Sequence, residues 1–341
     1  MINEKNTETF APEAEEKIVP IHVARKPRGF NNMVFRRNFV NVFIYILLAL
    51  LSFIWVFPVL YLVFQSFRAP VWSPELNRWT GGLKPITNAE GFTPINYFVP
   101  LNWSIQNYIN LFTDPLYPYG RWFLNTLTVA IVCAVISTII VLLTSFAFSR
   151  LRFKGRQSLM KFIMVLGMFP GFMSMIAIYY ILKGINLIGN PNETPAANYL
   201  VALVLVYTGG AAMGYFVSKG YFDTISRSID EAAAIDGANK AQIFWHITLP
   251  LSKPIVIYTA LTSFMGPWGD YIFASVIVGT KRDAASVAMG LYSYIDNLGE
   301  LEYYFTRFCA GAVVIAVPIT ILYIFMQRYY VSGITGGAVK G

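Results

Sequence analysis

The chain has 341 residues, of which 56% are hydrophobic and only 13% are charged, and its mean hydropathy is +0.52. A soluble domain carries about 25% charged residues, so the composition excludes an ordinary soluble protein and predicts a membrane protein. The net charge of +8 does not indicate nucleic-acid binding, because the basic residues flank apolar segments.

The first residues are polar and of mixed charge. We expect residues 1–37 to form a disordered cytoplasmic tail. The apolar run that follows is much longer than the core of a cleavable signal peptide, which is about 7–15 residues. It is therefore expected to stay in the membrane as a signal anchor.

Six long stretches are free of charge or nearly so, and each is close to the roughly 20 apolar residues that a spanning helix needs. They cover residues 38–67, 122–149, 162–182, 194–218, 254–279 and 308–327. The pattern predicts an all-α membrane protein with six transmembrane helices in a domain of residues 38–330. A cytoplasmic tail, residues 331–341, would follow.

Basic residues orient the spans, because cytoplasmic loops are enriched in Lys and Arg. The N-terminal tail is basic from residue 25 to 37, and the short loop after the second span carries Arg150, Arg152, Lys154 and Arg156. Both termini and the segment 221–253 are then predicted to be cytoplasmic. The aromatic-rich segment 68–121 lies outside, as an interfacial belt or as a docking surface for an external partner.

Asp270 is a carboxylate inside the fifth apolar stretch, about 24 Å along a helix that starts at Pro254. Such a residue lines a polar path or contacts another subunit, or it is an acid at a helix end in the membrane interface. Asp270, Trp268 and Pro170 are therefore candidate pathway or subunit-contact residues. Cys133 and Cys309 lie in apolar runs and are expected to be reduced, packed thiols.

The segment 221–253 reads as two short helices joined at a glycine. Ser228 and Glu231 have the spacing of a capping box, and Gly237 is able to adopt the positive φ that ends a helix. A second helix is expected over 240–247, with Pro250 after it. Its mixed charges favour a knob that docks on another protein over a helix lying on the membrane, and a purely structural linker is the alternative.

This segment resembles the "EAA" loop of the inner-membrane permease subunits of ABC importers. The resemblance rests on Glu231-Ala232-Ala233, Asp236-Gly237-Ala238, Phe244 and Ile247-x-Leu249-Pro250. It implies the type I importer permease fold, in which this loop is a coupling helix that docks on an ATPase subunit. By the same resemblance, the residues that couple to the ATPase are Glu231, Ala232, Ala233, Asp236, Gly237, Phe244, Ile247, Leu249 and Pro250.

The C-terminal sequence, which includes Thr335, Gly336 and Gly337, is similar to that of the maltose-type, MalG-like subunits of this family. The similarity implies that these three residues contact the ATPase subunits. Residues 268–273 and 286–291 resemble a carbohydrate-permease pattern, "WNxF … TLPVGL". This chain departs from that pattern with Gly269 in place of the Asn and Ser-Val-Ala at 286–288 in place of Thr-Leu-Pro.

The resemblance implies a permease subunit of a bacterial plasma-membrane importer for maltose-like oligosaccharides, with another sugar or glycoside as the alternative. The implied partners are a MalF-like permease subunit, two MalK-like ATPase subunits and an extracytoplasmic sugar-binding protein. The chain lacks a phosphate-binding P-loop motif and has only two histidines, so we expect no enzyme activity, cofactor or metal. A secondary transporter or a channel would leave the EAA pattern and the MalG-like tail unexplained. A membrane scaffold without transport would also use a docking loop, but the span pattern and the position of the loop together favour a transporter.

Overall fold

The computed structural model of the chain describes residues 30–73, 78–80, 98–100, 102–168, 171–296 and 301–338. The first half contains α1 (Phe30–Ser66), a hairpin of β1 (Val71–Ser73) and β2 (Arg78–Thr80), α2 (Gln106–Thr113), α3 (Tyr119–Arg150), α4 (Arg156–Leu166) and α5 (Gly171–Gly184). The strands are antiparallel, with Trp72 opposite Trp79.

The second half begins with an apolar helix and continues through many short elements. They are α6 (Ala196–Gly209), a 3₁₀ turn (Ala211–Gly214), α7 (Tyr215–Thr224), α8 (Arg227–Ile235), α9 (Lys240–Gln242), a π-helix (Ile243–Thr248), α10 (Leu249–Leu251), α11 (Lys253–Gly269), α12 (Ile272–Val278), a second 3₁₀ turn (Arg282–Ala284), α13 (Val287–Tyr292) and α14 (Leu301–Ala338).

The chain divides into two compact units, residues 1–57 and residues 58–341. Helix α1 starts at Phe30 and so includes residues 30–37 of the stretch expected to form the N-terminal tail. No proline or glycine follows Gly29 in that stretch, and nothing there prevents the helix from starting early. Helix α14 likewise runs to Ala338, so the predicted C-terminal tail begins inside a helix. Residues 1–29 and 339–341 lie outside the described part.

Three helices of the described chain are long and apolar enough to cross a membrane by themselves. They are Arg36–Ser66, Tyr119–Arg150 and Tyr304–Gln327, and they cover the first, second and sixth predicted spans. A fourth candidate is the pair 240–251 and 253–269, which is bent by 84°. Two shorter apolar helices, Met173–Gly184 and Ala196–Gly209, lie in the third and fourth predicted spans.

Three of the predicted spans are interrupted rather than continuous. In the third, α4 ends at Leu166 and residues 167–168 form a turn, and the described chain resumes with α5 at Gly171. The fourth changes to a 3₁₀ turn after Gly209, beside a second glycine, and continues as α7. The fifth breaks at Asp270, whose extended backbone ends α11 before α12 begins.

Helix α3 is the axis of the unit formed by residues 58–341, because three buried clusters lie along it. The first, near Tyr119 and Trp122, joins it to α2, α13 and α14. The second, around Val129 and Cys133, joins it to α5, α6 and α12. The third, around Phe146, joins it to α7, the π-helix and α11. Cys133 and Cys309 are buried free thiols, as predicted.

The packing of α13 on α3 gives a test of the first cluster. A Cβ atom on Gly290 would lie 1.9 Å from the ring of Trp122, a residue that is almost fully buried. Gly290→Ala should therefore overpack this contact and destabilise the protein by about 1–3 kcal/mol. The measurement is the thermal unfolding midpoint of the purified protein in mild detergent.

Gly220→Ala is the matched control, because Gly220 lies inside α7 and its Cβ position is open. That change should leave the midpoint unchanged or raise it slightly, since alanine favours helix. Equal midpoints for the two variants would contradict the close approach of α13 to Trp122.

Candidate functional site

The segment between α7 and α11 is a continuous series of short helices. Helix α8 begins at Arg227, and the Ser226 side chain caps it by accepting a hydrogen bond from the Ser228 backbone N–H at 3.3 Å. The predicted capping box of Ser228 and Glu231 is therefore wrong, because Ser226 is the cap. A reciprocal box occurs instead at α9, between Asn239 and Gln242, with N···O distances of 2.8 and 2.9 Å.

The turn between α8 and α9 depends on Gly237, which has φ +89°. The Ala238 N–H donates to the carbonyl of Ala233, and the Gly237 N–H donates to that of Ala234. These two bonds form a Schellman motif, which closes a helix when one residue adopts the left-handed conformation. The predicted role of Gly237 in ending this helix is confirmed.

The second helical stretch is fixed to the body of the protein by buried apolar side chains. Ile243 and Phe244 are buried, and the ring of Phe244 lies 5.0 Å from that of Phe146 in α3. Leu249 packs against the same cluster, and Ile247 is half-buried. Among the residues carried over by resemblance, Phe244 and Leu249 therefore serve to anchor the segment.

The remaining members of that set are presented at the surface. Glu231, Ala232, Asp236, Gly237 and Pro250 are exposed, and Ala233 is half-buried. Ile235, the last residue of α8, has 87% of its surface exposed. Sequence reasoning did not single out Ile235, although an isoleucine between an alanine run and the Asp-Gly turn was the available signal.

An open cleft of about 640 Å³ lies between α8 and the end of α3. It is lined by Arg150 and Arg152 and, from α8, by Arg227, Glu231 and Ala234. The polar contacts at this junction connect α3 with α7. Ser149 of α3 donates to Asp223 of α7 at 2.6 Å, and Lys219 pairs with the same carboxylate.

These contacts change the pKa of the Asp223 carboxyl. Burial alone would raise the pKa of its carboxyl, but hydrogen bonds from Lys219 and Ser149 and the charge of Arg150 outweigh that effect. The pKa of Asp223 lies below its ordinary value as a result. The carboxylate is thus ionised at neutral pH and holds α7 against α3.

The structure gives Asp270 two partners within the chain. The Tyr207 hydroxyl donates to Asp270 Oδ2 at 2.7 Å, and the Phe273 N–H donates to Oδ1 at 3.0 Å. Asp270 therefore ends α11, starts α12 and binds α6. Trp268 is buried between Phe123 and Phe264, so its side chain belongs to the core. Pro170 lies outside the described residues.

A groove of about 360 Å³ runs between α3, the α6–α7 region and α11. Hydroxyl groups line it, from Ser137, Tyr207, Tyr258, Thr262 and Ser263. Glycines at 210, 214 and 266 keep part of the wall free of side chains. Sequence reasoning missed these hydroxyls, because single Ser and Thr residues in an apolar helix are common and usually bond to their own backbone.

The fold and this segment define a class: a helical membrane protein with several apolar helices and a structured, partly exposed loop that is packed against them. Comparison with known proteins gives the family. Residues 140–335 match the family described as "Binding-protein-dependent transport system inner membrane component". The chain belongs to this family. It is a transport component of an ABC importer rather than an enzyme, and ATP hydrolysis is carried out by a separate subunit.

Relatives align over almost the whole chain. The maltodextrin transport system permease protein MalD of Streptococcus pneumoniae is 34% identical over 91% of this chain and 99% of its own length. The galactooligosaccharides transport system permease protein GanQ of Bacillus subtilis is 32% identical, with the same two coverages.

A solved bacterial ABC transporter involved in the import of alginate has a chain with the same fold. Its TM-score is 0.65 at 21% identity, covering 86% of this chain and 97% of that one. The family description and the apolar helices identify the protein as a bacterial membrane protein.

Phe244 tests the anchoring of the segment. Phe244→Ala should remove the contact with Phe146 and destabilise the local packing by about 3–5 kcal/mol, as for other buried phenylalanines. Limited trypsin digestion of the purified protein should then cut faster at Lys240, which is exposed at the start of α9.

The matched control is Trp245→Ala, an adjacent aromatic residue with 52% of its surface exposed. Cleavage at Lys240 should stay close to the rate of the unmodified protein in that variant. The same rate of cleavage for both variants would mean that Phe244 does not hold the segment.

Proposed function

We propose that this chain is a permease subunit of an ATP-driven importer of maltodextrin-type oligosaccharides. The support for this substrate class is the name of MalD, which aligns over 99% of its own length. A galactooligosaccharide is the second candidate, because GanQ aligns over the same share of the chain at 32% rather than 34% identity.

The proposed mechanism is that α8 carries motion from the ATPase to the membrane helices. The observation that carries it is Ile235, which is 87% exposed at the end of a helix outside the apolar spans. An apolar side chain presented at a rigid tip suits insertion into a pocket of a partner. We define the docking surface as Glu231, Ala232, Ile235, Asp236 and Gly237, all of which are exposed.

The proposed assembly contains a second permease subunit, two ATP-binding subunits and an extracytoplasmic sugar-binding protein. The family description supports partners of these kinds. Both termini and the docking surface are proposed to be cytoplasmic, on the basis of the basic loop 150–156. Thr335, Gly336 and Gly337, near the end of α14, are proposed to contact the ATPase subunits.

Transport itself is proposed to follow alternating access. ATP binding favours one of two arrangements of the membrane helices, because the ATPase dimer binds the two arrangements with different affinity. The hydroxyl-lined groove between α3 and α11 is proposed as this chain's share of the pathway, since sugar hydroxyls need hydrogen-bond partners there. Asp270 is proposed to fix the outer part of this wall through Tyr207.

Gly237→Asp tests the docking surface. An L-residue at φ +89° is strained by roughly 1–2 kcal/mol, and the new carboxylate would also lie among the docking residues. Uptake of radiolabelled sugar should fall by about tenfold or more, as for the loss of an interface hot spot, while the chain remains in the membrane fraction.

Gly155→Asp is the control, because Gly155 also has a positive φ, +82°, and an open Cβ position, but lies in the loop before α4. It imposes the same backbone strain away from the docking surface, so most uptake should remain. Normal uptake with Gly237→Asp would argue against the coupling role of this turn.

The substrate is tested by uptake in proteoliposomes that contain the complete transporter and its binding protein. Labelled maltotriose should accumulate in an ATP-dependent manner, and excess unlabelled maltodextrin should abolish the signal. If only a galactooligosaccharide competes, the second candidate replaces the first and the importer mechanism stands.

A further inference from the structure

A buried ion pair joins the end of α3 to the start of α8. Arg150 is the last residue of α3, and its Nε lies 3.2 Å from Oδ2 of Asp230, in the first turn of α8. The two side chains are only 4% and 12% exposed. Placing a charged pair out of water costs desolvation free energy, so such a pair is weak as a device for stability alone. Its position between α3 and the proposed coupling helix α8 indicates another use.

The same guanidinium also holds α7. Arg150 Nη2 donates to the backbone carbonyls of Phe222 and Ile225, at 2.8 and 2.9 Å. Those carbonyls belong to the last turn of α7 and the residue that ends it. One planar, multiply donating side chain therefore gathers the ends of three helices, a geometry that the single ammonium of lysine does not reproduce.

Helix α8 has few other means of attachment to α3. Its exposed face is short and rich in alanine, and Ala233 supplies its contact with the third buried cluster. Arg227 adds one long hydrogen bond to the Ser149 carbonyl, at 3.4 Å. By contrast, α7 has a second attachment to α3, the hydrogen bond from Ser149 to Asp223, and Asp230 takes no part in it. Losing the ion pair would thus loosen α8 while leaving α7 in place.

We propose that Arg150 and Asp230 are positioning residues that form a rigid joint between α8 and α3. Movement imposed on α8 is transmitted through this joint to α3, and from α3 to the helices packed along it. The proposal rests on the proposed coupling function and deepens it, since it separates docking of the ATPase from transmission of its motion. In this proposal the docking surface binds the ATPase subunit. The joint then transmits the displacement of that subunit from α8 to the membrane helices.

The first experiment measures sugar imported per ATP hydrolysed in proteoliposomes that contain the complete transporter. Asp230→Asn keeps the shape of the side chain and removes its charge. The variant complex should retain the ATPase subunits and their ATP turnover, while uptake per ATP falls by about tenfold or more, because the buried Arg150 charge loses its partner on α8. Arg150→Lys, which keeps the charge but loses the planar fork, should lower uptake per ATP in the same direction.

Asp283→Asn is the matched control, because Asp283 pairs with Arg121 near the opposite end of α3 in an exposed ion pair, with side chains 53% and 54% exposed. It should leave uptake per ATP unchanged. Unchanged uptake per ATP in both Asp230→Asn and Arg150→Lys would overturn the joint. Loss of the ATPase subunits from those variants would overturn it as well, because the pair would then act in docking or folding. Absence of ATPase subunits from the unmodified complex would instead refute the proposed function.

The second experiment measures the joint directly, by the distance between spin labels on α8 and α3. Ile229→Cys and Leu143→Cys provide exposed labelling positions on the two helices, with Cys133 and Cys309 replaced by alanine. In the otherwise unmodified complex, the distance should be narrowly distributed and equal with and without a non-hydrolysable ATP analogue. Adding Asp230→Asn should broaden the distribution. A distribution that stays narrow in that variant would overturn the proposal.

Discussion

Helix α3 has to satisfy two different environments along one axis, and the arrangement of residues 58–341 follows from that requirement. Its 32 residues cover about 48 Å, which exceeds a hydrocarbon layer of about 30 Å. Where the helix is within the apolar layer, its partners are apolar or small, as around Val129 and Cys133. At its end the partners become charged, and Ser149 and Arg150 bind α7 and α8. The change in solvent along the helix thus determines where the exposed loop is attached.

Within the EAA segment, one short sequence carries two opposite tasks. Phe244 and Leu249 are directed into the core, whereas Ile235 is directed away from it. Phe244 lies within the π-helix Ile243–Thr248, whose turns are wider than those of an α-helix, a form often found at functional positions. Anchoring limits the motion of the segment relative to α3 and α11, as the proposed coupling role requires.

Sequence reasoning succeeded where a local signal determines the conformation. Gly237 follows from the φ that a helix-ending turn requires, and the long apolar runs around α3 and α14 follow from composition. It failed where two signals of the same kind compete, as with Ser226 and Ser228 at the start of α8. It also could not assign partners that are distant in sequence. The bond between Tyr207 and Asp270 and the burial of Trp268 depend on the packing of α6, α3 and α11.

The interrupted helices have a consequence for biogenesis. Helices α5 and α6 have 14 residues each, about 21 Å in length, so neither alone hides its backbone ends from a hydrocarbon layer of about 30 Å. In contrast to the long α3, they cannot partition into the bilayer as independent units. Their stable insertion requires a surface that is already in place. Because α3 is synthesised before them, and the second buried cluster lies on it, the order of the elements along the chain provides that surface when it is needed.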